Sequence, residues 1–340
     1  MANPYVYDGP IERRECFFNR QSELTRISSR VAASRPQSVS VVGSGRTGKS
    51  SLVNYLLDPA TQAEVLDDPA RYFLLRVRLS CDPPQTPPAF FTRLSRALQY
   101  LGEPPIEPTY DGFSGLVRAT MQAGRRLVLF LDDFDQVTQR DGFALEFYSF
   151  MRSVANSHDV AYLTTSWAPL QQLCHTQDIE ESPFFNIFTT VNLDPFTDEA
   201  ARRLVLEPAR AAGASLEAQL EDVLTLAGGS PYLLQLAASL AFDALGSGGL
   251  DRRQLTAGML DRSRAFLNWW WENLSDAQRA VLRAVADGKP VERRHEYAAE
   301  SMAGQGILRP EEKGYRFRAA VVGEYVRTSQ KGGLLKRLFG

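Results

Sequence analysis

Residues Gly43 to Ser50 read GSGRTGKS and follow a short apolar run, SVSVVG. They satisfy the pattern G-x-x-x-x-G-K-[ST] in full, and the helix-forming run SLVNYLL comes directly after. That spacing is what a polyphosphate demands. Dense negative charge needs several backbone N–H groups pointing inward, and the start of a helix adds unpaired N–H groups and the positive end of its dipole. Gly43 and Gly48 are expected to take backbone conformations closed to residues with a Cβ. The cradle runs through Gly43, Ser44, Gly45, Arg46, Thr47 and Gly48. Lys49 is placed to reach the β- and γ-phosphates, Ser50 to ligate Mg²⁺ through its hydroxyl, and Ser51 to contact the α-phosphate. The bland alternative is a glycine-rich turn with an exposed lysine. The full motif in its strand–helix setting favours binding of a nucleoside triphosphate.

Magnesium then needs a carboxylate at the end of a neighbouring apolar strand, and LVLFLDDFD supplies one. Asp132 closes the strand as the metal-holding residue, through water. Asp133 follows as the group that orients or polarises the attacking water. Many motor ATPases carry glutamate there. Aspartate is one carbon shorter, and near-attack geometry is sensitive to such a change, so slow turnover is expected. Asp135 reads as a turn residue. Thr164, Thr165 and Ser166 end the next strand-like run, where Thr165 is the candidate to sense the γ-phosphate through water. Arg46 and Arg152 are candidates for γ-phosphate or inter-subunit contacts, or else solvated surface charges.

Those residues have to be positioned by regular elements, and the chain alternates accordingly. Strand-like runs at 38–43, 73–80, 126–132, 160–166 and 185–193 are separated by helical periodicity in PAFFTRLSRALQYL, FSGLVRATMQAG and ALEFYSFMRSVANS. Such an order implies βαβ crossovers and a mainly parallel sheet. After Pro195 the strands stop. A helix starting at DEAARRLVL is expected to run out near Pro208, and two more follow, the second with Pro231 near its first position. GSGGL at 246–250 reads as a flexible joint. Beyond it come a long helix carrying WWW at 269–271 and the order helix, helix, strand, turn, strand, helix. That order suits a winged helix whose wing is the Pro310–Gly314 turn. The expected divisions are therefore 1–195 for the nucleotide-binding α/β domain, 196–250 for a helical lid, 251–330 for a linker helix with the winged-helix domain, and 331–340 for a basic, apolar tail.

Composition sets the outer bounds. At 340 residues the chain exceeds one ordinary core. Its formal net charge of −2 gives no global attraction to nucleic acid or anionic membrane. Cys16, Cys81 and Cys174 are scattered and odd in number, which argues for a reducing compartment. His158, His175 and His295 show no metal-ligand spacing. With no apolar signal segment and no run of membrane-spanning length, the cytoplasm is the expected location.

Taken in order, the phosphate loop, the LFLDD strand, TTSW at the next strand end and GGSPYLLQLA resemble STAND-type ATPases. These are signal-transduction NTPases of the AAA+-related branch, close to archaeal-ATPase and origin-recognition-like proteins. The N-terminal run NPYVYDGPIERRECFFNRQSEL resembles that group's opening, where a glycine-arginine-glutamate box lies beside the adenine. The resemblance implies a P-loop NTPase fold with helical lid and C-terminal winged helix. It also implies ATP and Mg²⁺ as ligands, Arg20 flanking the base, and Pro231 opening a lid helix that touches the adenine. Two positions depart from the pattern: Asn19 stands where the box usually has glycine, and Trp167 where relatives often carry arginine. A nucleotide-driven switch with a protein partner or homo-oligomer is the leading expectation. The alternatives are a DNA-binding ATPase and a scaffold that holds nucleotide without turnover.

Overall fold

The computed structural model describes residues 2–328, so the expected basic, apolar tail lies outside the described residues. The chain divides into two compact units. One comprises Glu12–Ser44 and Lys49–Leu193; the other gathers the N-terminal stretch through Ile11, Gly45–Gly48 and the chain from Asp194 on.

In the first unit the elements follow the order α1 (Gln21–Val31), β1 (Ser38–Val42), α2 (Lys49–Leu57), α3 (Pro59–Val65), β2 (Tyr72–Arg78), α4 (Pro87–Tyr100) and α5 (Tyr110–Gln122). They continue with β3 (Arg126–Asp132), α6 (Asp135–Thr138), α7 (Leu145–Ser157), β4 (Val160–Ser166), α8 (Gln177–Glu180) and β5 (Phe188–Asn192). The five strands form one sheet in the order β2-β3-β4-β1-β5, every pairing parallel. A parallel sheet covered on both faces calls for nearly continuous apolar strands, which is why SVSVV and VAYLTTS are buried at every position.

Alternation along each strand sorts residues to the two faces. On β3, Leu127, Leu129 and Leu131 enter a core with Phe90, Phe91, Phe113 and Phe147 from α4, α5 and α7. Val128 and Phe130 enter the other core, with Leu52 and Val53 of α2 and Leu24 and Ile27 of α1. The same parity puts Asp132 on the α2 side. On β4, Leu163 belongs to that second core, so Thr165 lies on the same face.

One sequence expectation shifts in this unit. The run 185–193 is a strand only over Phe188–Asn192, because Pro183 at the first helical turn and the Ser182 hydroxyl, which accepts from the Phe184 amide at 3.3 Å, initiate a 3₁₀ turn over Pro183–Ile187. That turn sinks Phe184 and Phe185 into the aromatic core.

In the second unit, α9 (Asp198–Ala211) continues through Pro208 rather than ending beside it. Proline removes its own donor and crowds the carbonyl one turn back, yet the Pro208 carbonyl still accepts from Ala212 N–H at 3.0 Å and the helix carries on to Ala211. Helices α10 (Leu220–Ala227), α11 (Pro231–Asp243) and α12 (Arg252–Glu272) follow. The N-terminal segment is held to α9 and α11: Asn3 Nδ2 donates to Ser239 O at 3.0 Å and Asp243 Oδ1 at 2.7 Å, and the Tyr5 hydroxyl donates to Val205 O.

Helix α12 opens with a capping box between Asp251 and Gln254, and α13 (Asp276–Ala286) with one between Ser275 and Gln278. Helix α14 (Glu296–Gly304) precedes an antiparallel hairpin of β6 (Leu308–Glu311) and β7 (Gly314–Phe317); residues 320–328 are helical. The turn expected over Pro310–Gly314 is tighter, because the Pro310–Tyr315 and Glu311–Gly314 pairs belong to the ladder. Of the three tryptophans, Trp270 and Trp271 join the apolar cluster of α13, α14 and the hairpin, while Trp269 is 49% exposed. Among the described residues no helix is long and apolar enough to cross a membrane.

Candidate functional site

The C-terminal edge of the sheet collects the residues singled out by type and spacing. Gly43 leaves β1 with its amide on Ser166 O at 3.1 Å, and Lys49 opens α2. The Lys49 side chain is buried and its Nζ donates to Gly43 O at 2.7 Å and Ser44 O at 3.1 Å, so the ammonium is folded back onto its own loop. Burial pulls its pKa below the ordinary lysine value, while the carboxylates of Asp133, Asp135 and Asp132 draw it upward.

Loop conformation departs from expectation in one respect. Gly48 has φ of 96°, but the other left-handed position in the loop is Arg46, at 63°, and not Gly43. Arg46 is held there within its own unit: Nη1 donates to Tyr7 O at 3.0 Å, and the guanidinium lies 4.6 Å from the Tyr232 ring centroid. A Cβ placed on Gly45 would meet Phe266 at 3.1 Å and Trp269 at 3.2 Å, so only glycine fits there without displacement. Thr47 and Ser51 each have interaction partners, and the Ser51 side chain is buried.

Asp132 is the hub. Its Oδ1 accepts from the Thr165 hydroxyl at 2.7 Å and from Ser50 Oγ at 3.3 Å. Its Oδ2 is paired with the Arg76 guanidinium. Thr165 Oγ1 in turn accepts from the Asp133 amide at 2.8 Å, and Thr165 O accepts from Phe134 N–H at 2.9 Å. The threonine therefore fixes the bend after β3, where Asp133 has φ of 61°, a conformation that costs a non-glycine residue about 1–3 kcal/mol.

Burial raises the Asp133 carboxyl pKa, Ser80 opposes this through a hydrogen bond, and Asp132 adds to the rise. Asp135, read from sequence as a turn residue, starts α6 and is buried. Its pKa is pushed up to about 6 by burial and then by Asp133, with Lys49 acting against both. The Ser166 hydroxyl donates to Ala168 O at 2.7 Å, while Thr164 Oγ1 is buried without a protein partner.

Arg20 is buried, caps α1 in the left-handed region (φ 76°) and pairs with Glu23 Oε1 at 2.9 Å. Asn19 before it is also left-handed, at 61°. Asparagine is among the few side chains that tolerate this region, which accounts for its standing where the resemblance expects glycine. Pro231 is at the first position of α11, behind the Ser230 cap. Arg152 lies exposed on α7.

The geometry also supplies residues that spacing did not suggest. Arg76 is one; its signal was an arginine set between Leu75 and Val77 in the largely apolar strand YFLLRVR. Asn54 is another, four residues after Ser50 on α2 and bonded to Arg76.

For a magnesium ion the donor chemistry fits: a hydroxyl and a carboxylate, both hard oxygens, lie 3.3 Å apart beside the phosphate loop. Magnesium takes one or two protein oxygens and leaves the rest of its shell to water and phosphate. Among the described residues no group of three or more His, Cys, Asp or Glu is placed to hold a metal ion.

The paired-aspartate strand does not neighbour the phosphate-loop strand as expected, because β4 stands between β3 and β1. A parallel sheet with a phosphate loop after its fourth strand in spatial order, and paired aspartates ending the strand two places away, defines a P-loop NTPase. The chain belongs to the family described as Novel STAND NTPase 2 (nSTAND2), whose model matches residues 33–291. No protein with a curated description matches it.

Solved structures share the fold. The Walker-type ATPase PABY2304 of Pyrococcus abyssi superposes with a TM-score of 0.67 at 18% identity, covering 94% of this chain and 99% of that one. The Aeropyrum pernix ORC2 protein, solved as ADPNP–ADP complexes, gives 0.60 at 14% identity over 97% and 98% of the two chains. The Aeropyrum pernix ORC1 protein in complex with DNA gives 0.51 at 14% identity, over 95% of each.

Proposed function

We propose that the chain is an ATP-binding, slowly hydrolysing switch in the cytoplasm, in which nucleotide state sets the position of the C-terminal domain and thereby binding of a protein partner or self-association. The observation that carries this is the convergence of Lys49, Ser50, Asp132, Asp133 and Thr165 at one sheet edge. In this reading the loop amides and Lys49 bind the phosphates, with Lys49 Nζ leaving the Gly43 and Ser44 carbonyls for the more strongly charged acceptor. Ser50 and Asp132 would hold Mg²⁺, whose contribution when bound is to neutralise charge on the β- and γ-phosphates. Asp133 orients the attacking water, and its raised pKa makes it a better proton acceptor than an ordinary aspartate. Thr165 couples Asp132 to the Asp133 backbone, so any movement of one carboxylate is felt by the other. Arg20 and Pro231 are the residues proposed to flank the adenine, and residues 196–250 the lid.

Calorimetry with Mg-ATP tests the reading. The wild-type chain is expected to bind and Lys49→Ala not to; equal affinity in the two would end it. Phosphate release above that of Asp133→Asn would support turnover, whereas equal release would leave a nucleotide-holding scaffold.

The C-terminal order of helices and hairpin supports a winged helix. A DNA-binding role is less favoured, because acidic side chains are interleaved with the basic ones there: Arg294 pairs with Glu292 at 2.8 Å and Arg316 with Glu311 at 2.9 Å. Loss of a labelled duplex shift even in dilute buffer would count against DNA.

A further inference from the structure

The carboxylate that would hold the metal already has a cation on it. Arg76 and Asp132 come from adjacent parallel strands, where Arg78 is the register partner of Asp132 and Arg76 lies two residues back on the same face. The Arg76 side chain is 13% exposed and that of Asp132 4%. One guanidinium nitrogen bonds Asp132 Oδ2 and the other terminal nitrogen bonds Asn54 Oδ1. Arg76 Nε is buried with no protein partner, so the guanidinium is held by its two ends alone. Asn54 stands one helical turn after Ser50 on α2, and so presents to the same side as the hydroxyl proposed for the metal. Oδ1 of Asp132 is meanwhile taken by Thr165 and Ser50. Both oxygens of the carboxylate thus have protein partners before any ligand arrives.

A buried carboxylate without a countercharge is costly, and a second cation placed beside an existing one is repelled. We infer that Arg76 is a built-in counter-cation for Asp132, which neutralises the carboxylate in the nucleotide-free chain and competes with Mg²⁺ for it when nucleotide binds. Arg76 is a positioning residue in this scheme and acts through Asp132. Its consequence is that metal strengthens nucleotide binding only modestly in the wild-type chain. The inference rests on the nucleotide reading above and adds a residue to it.

The readout is the ratio of the dissociation constant for a fluorescent ADP analogue in EDTA to that in saturating Mg²⁺, which measures the coupling between metal and nucleotide without any turnover. In Arg76→Gln that ratio is expected to grow at least about tenfold over wild type, since close charge pairs are coupled by more than the ~1.4 kcal/mol that a factor of ten represents. Arg76→Lys, which keeps the charge, is expected to behave as wild type. Without ligand, Arg76→Gln should melt below wild type and Mg-ADP should close the gap. An unchanged or smaller ratio in Arg76→Gln would overturn the inference.

If Arg76→Gln does not fold alone, the Arg76→Gln/Asp132→Asn double variant, with neither charge stranded, is expected to fold. Its failure would overturn the charge-pairing argument. A wild-type chain that binds the analogue in neither buffer would instead overturn the nucleotide reading, and this inference with it.

Discussion

Asp135 shows how a single buried carboxyl writes itself into the pH dependence of the whole chain. Its pKa in the folded state, about 6, lies above its ordinary value of 3.8, so the folded chain holds that proton more tightly than the unfolded one. The resulting stabilisation is fully present below pH 3.8 and is lost as pH rises through about 6. Asp135→Asn has no such proton to lose. Its stability relative to wild type should therefore improve by up to ~3 kcal/mol between pH 4 and pH 7, read from urea midpoints at the two values. Thr165 makes a second test at this scale. Thr165→Val keeps the shape but strands the Asp133 amide and removes a donor from Asp132. It should cost about 1–3 kcal/mol in denaturant unfolding even without nucleotide. A variant as stable as wild type would show that the hydroxyl is not what holds the bend after β3.

At the scale of elements, helix ends and crossings depend on a few glycines more than on average composition. Gly228 ends α10 at φ 60°, and a Cβ there would fall well inside van der Waals contact of the Arg318 backbone. Gly288 follows α13 at φ 66° with open space around its Cβ position. Both alanine variants carry the left-handed strain of about 1–2 kcal/mol, but only Gly228→Ala must also displace backbone. Gly228→Ala should accordingly lose ~1–3 kcal/mol more than Gly288→Ala in the same unfolding assay, and equal losses would refute the packing argument.

Element types were legible in the sequence wherever the period was long and uninterrupted. The strands at 126–132 and 160–166 and the helices around α4, α5 and α7 fall where alternation put them. The misjudged places are those where a proline's local preference met tertiary packing. Pro183 turned a strand start into a 3₁₀ turn that buries two phenylalanines, and Pro208 failed to end α9, whose buried face continues past it at Ala209.

For the whole molecule, ligand linkage is the relevant test. A chain that binds Mg-nucleotide only when folded gains RT ln(1 + [L]/Kd), about 2.7 kcal/mol at a hundredfold excess over Kd. Thermal midpoints should therefore rise with Mg-ADP in wild type and stay fixed in Lys49→Ala, both followed by the same unfolding signal. The sequence by itself determined the chemistry on offer. A polyphosphate imposes contiguous spacing on a cradle, so the proposed one, Gly43 to Ser51, is readable from chain order alone, and the apolar run before Asp132 and Asp133 marks a buried strand end. Partnership across strands is not written in chain order. That Arg76 of β2 meets Asp132 of β3, that Thr165 of β4 ties Asp132 to Asp133, and that Asp135 is buried beside Lys49 all follow from strand order and register, which are set by the cores on the two sheet faces. Only the folded sheet brings residues more than thirty positions apart into one electrostatic cluster, and burial there is what gives their charges weight.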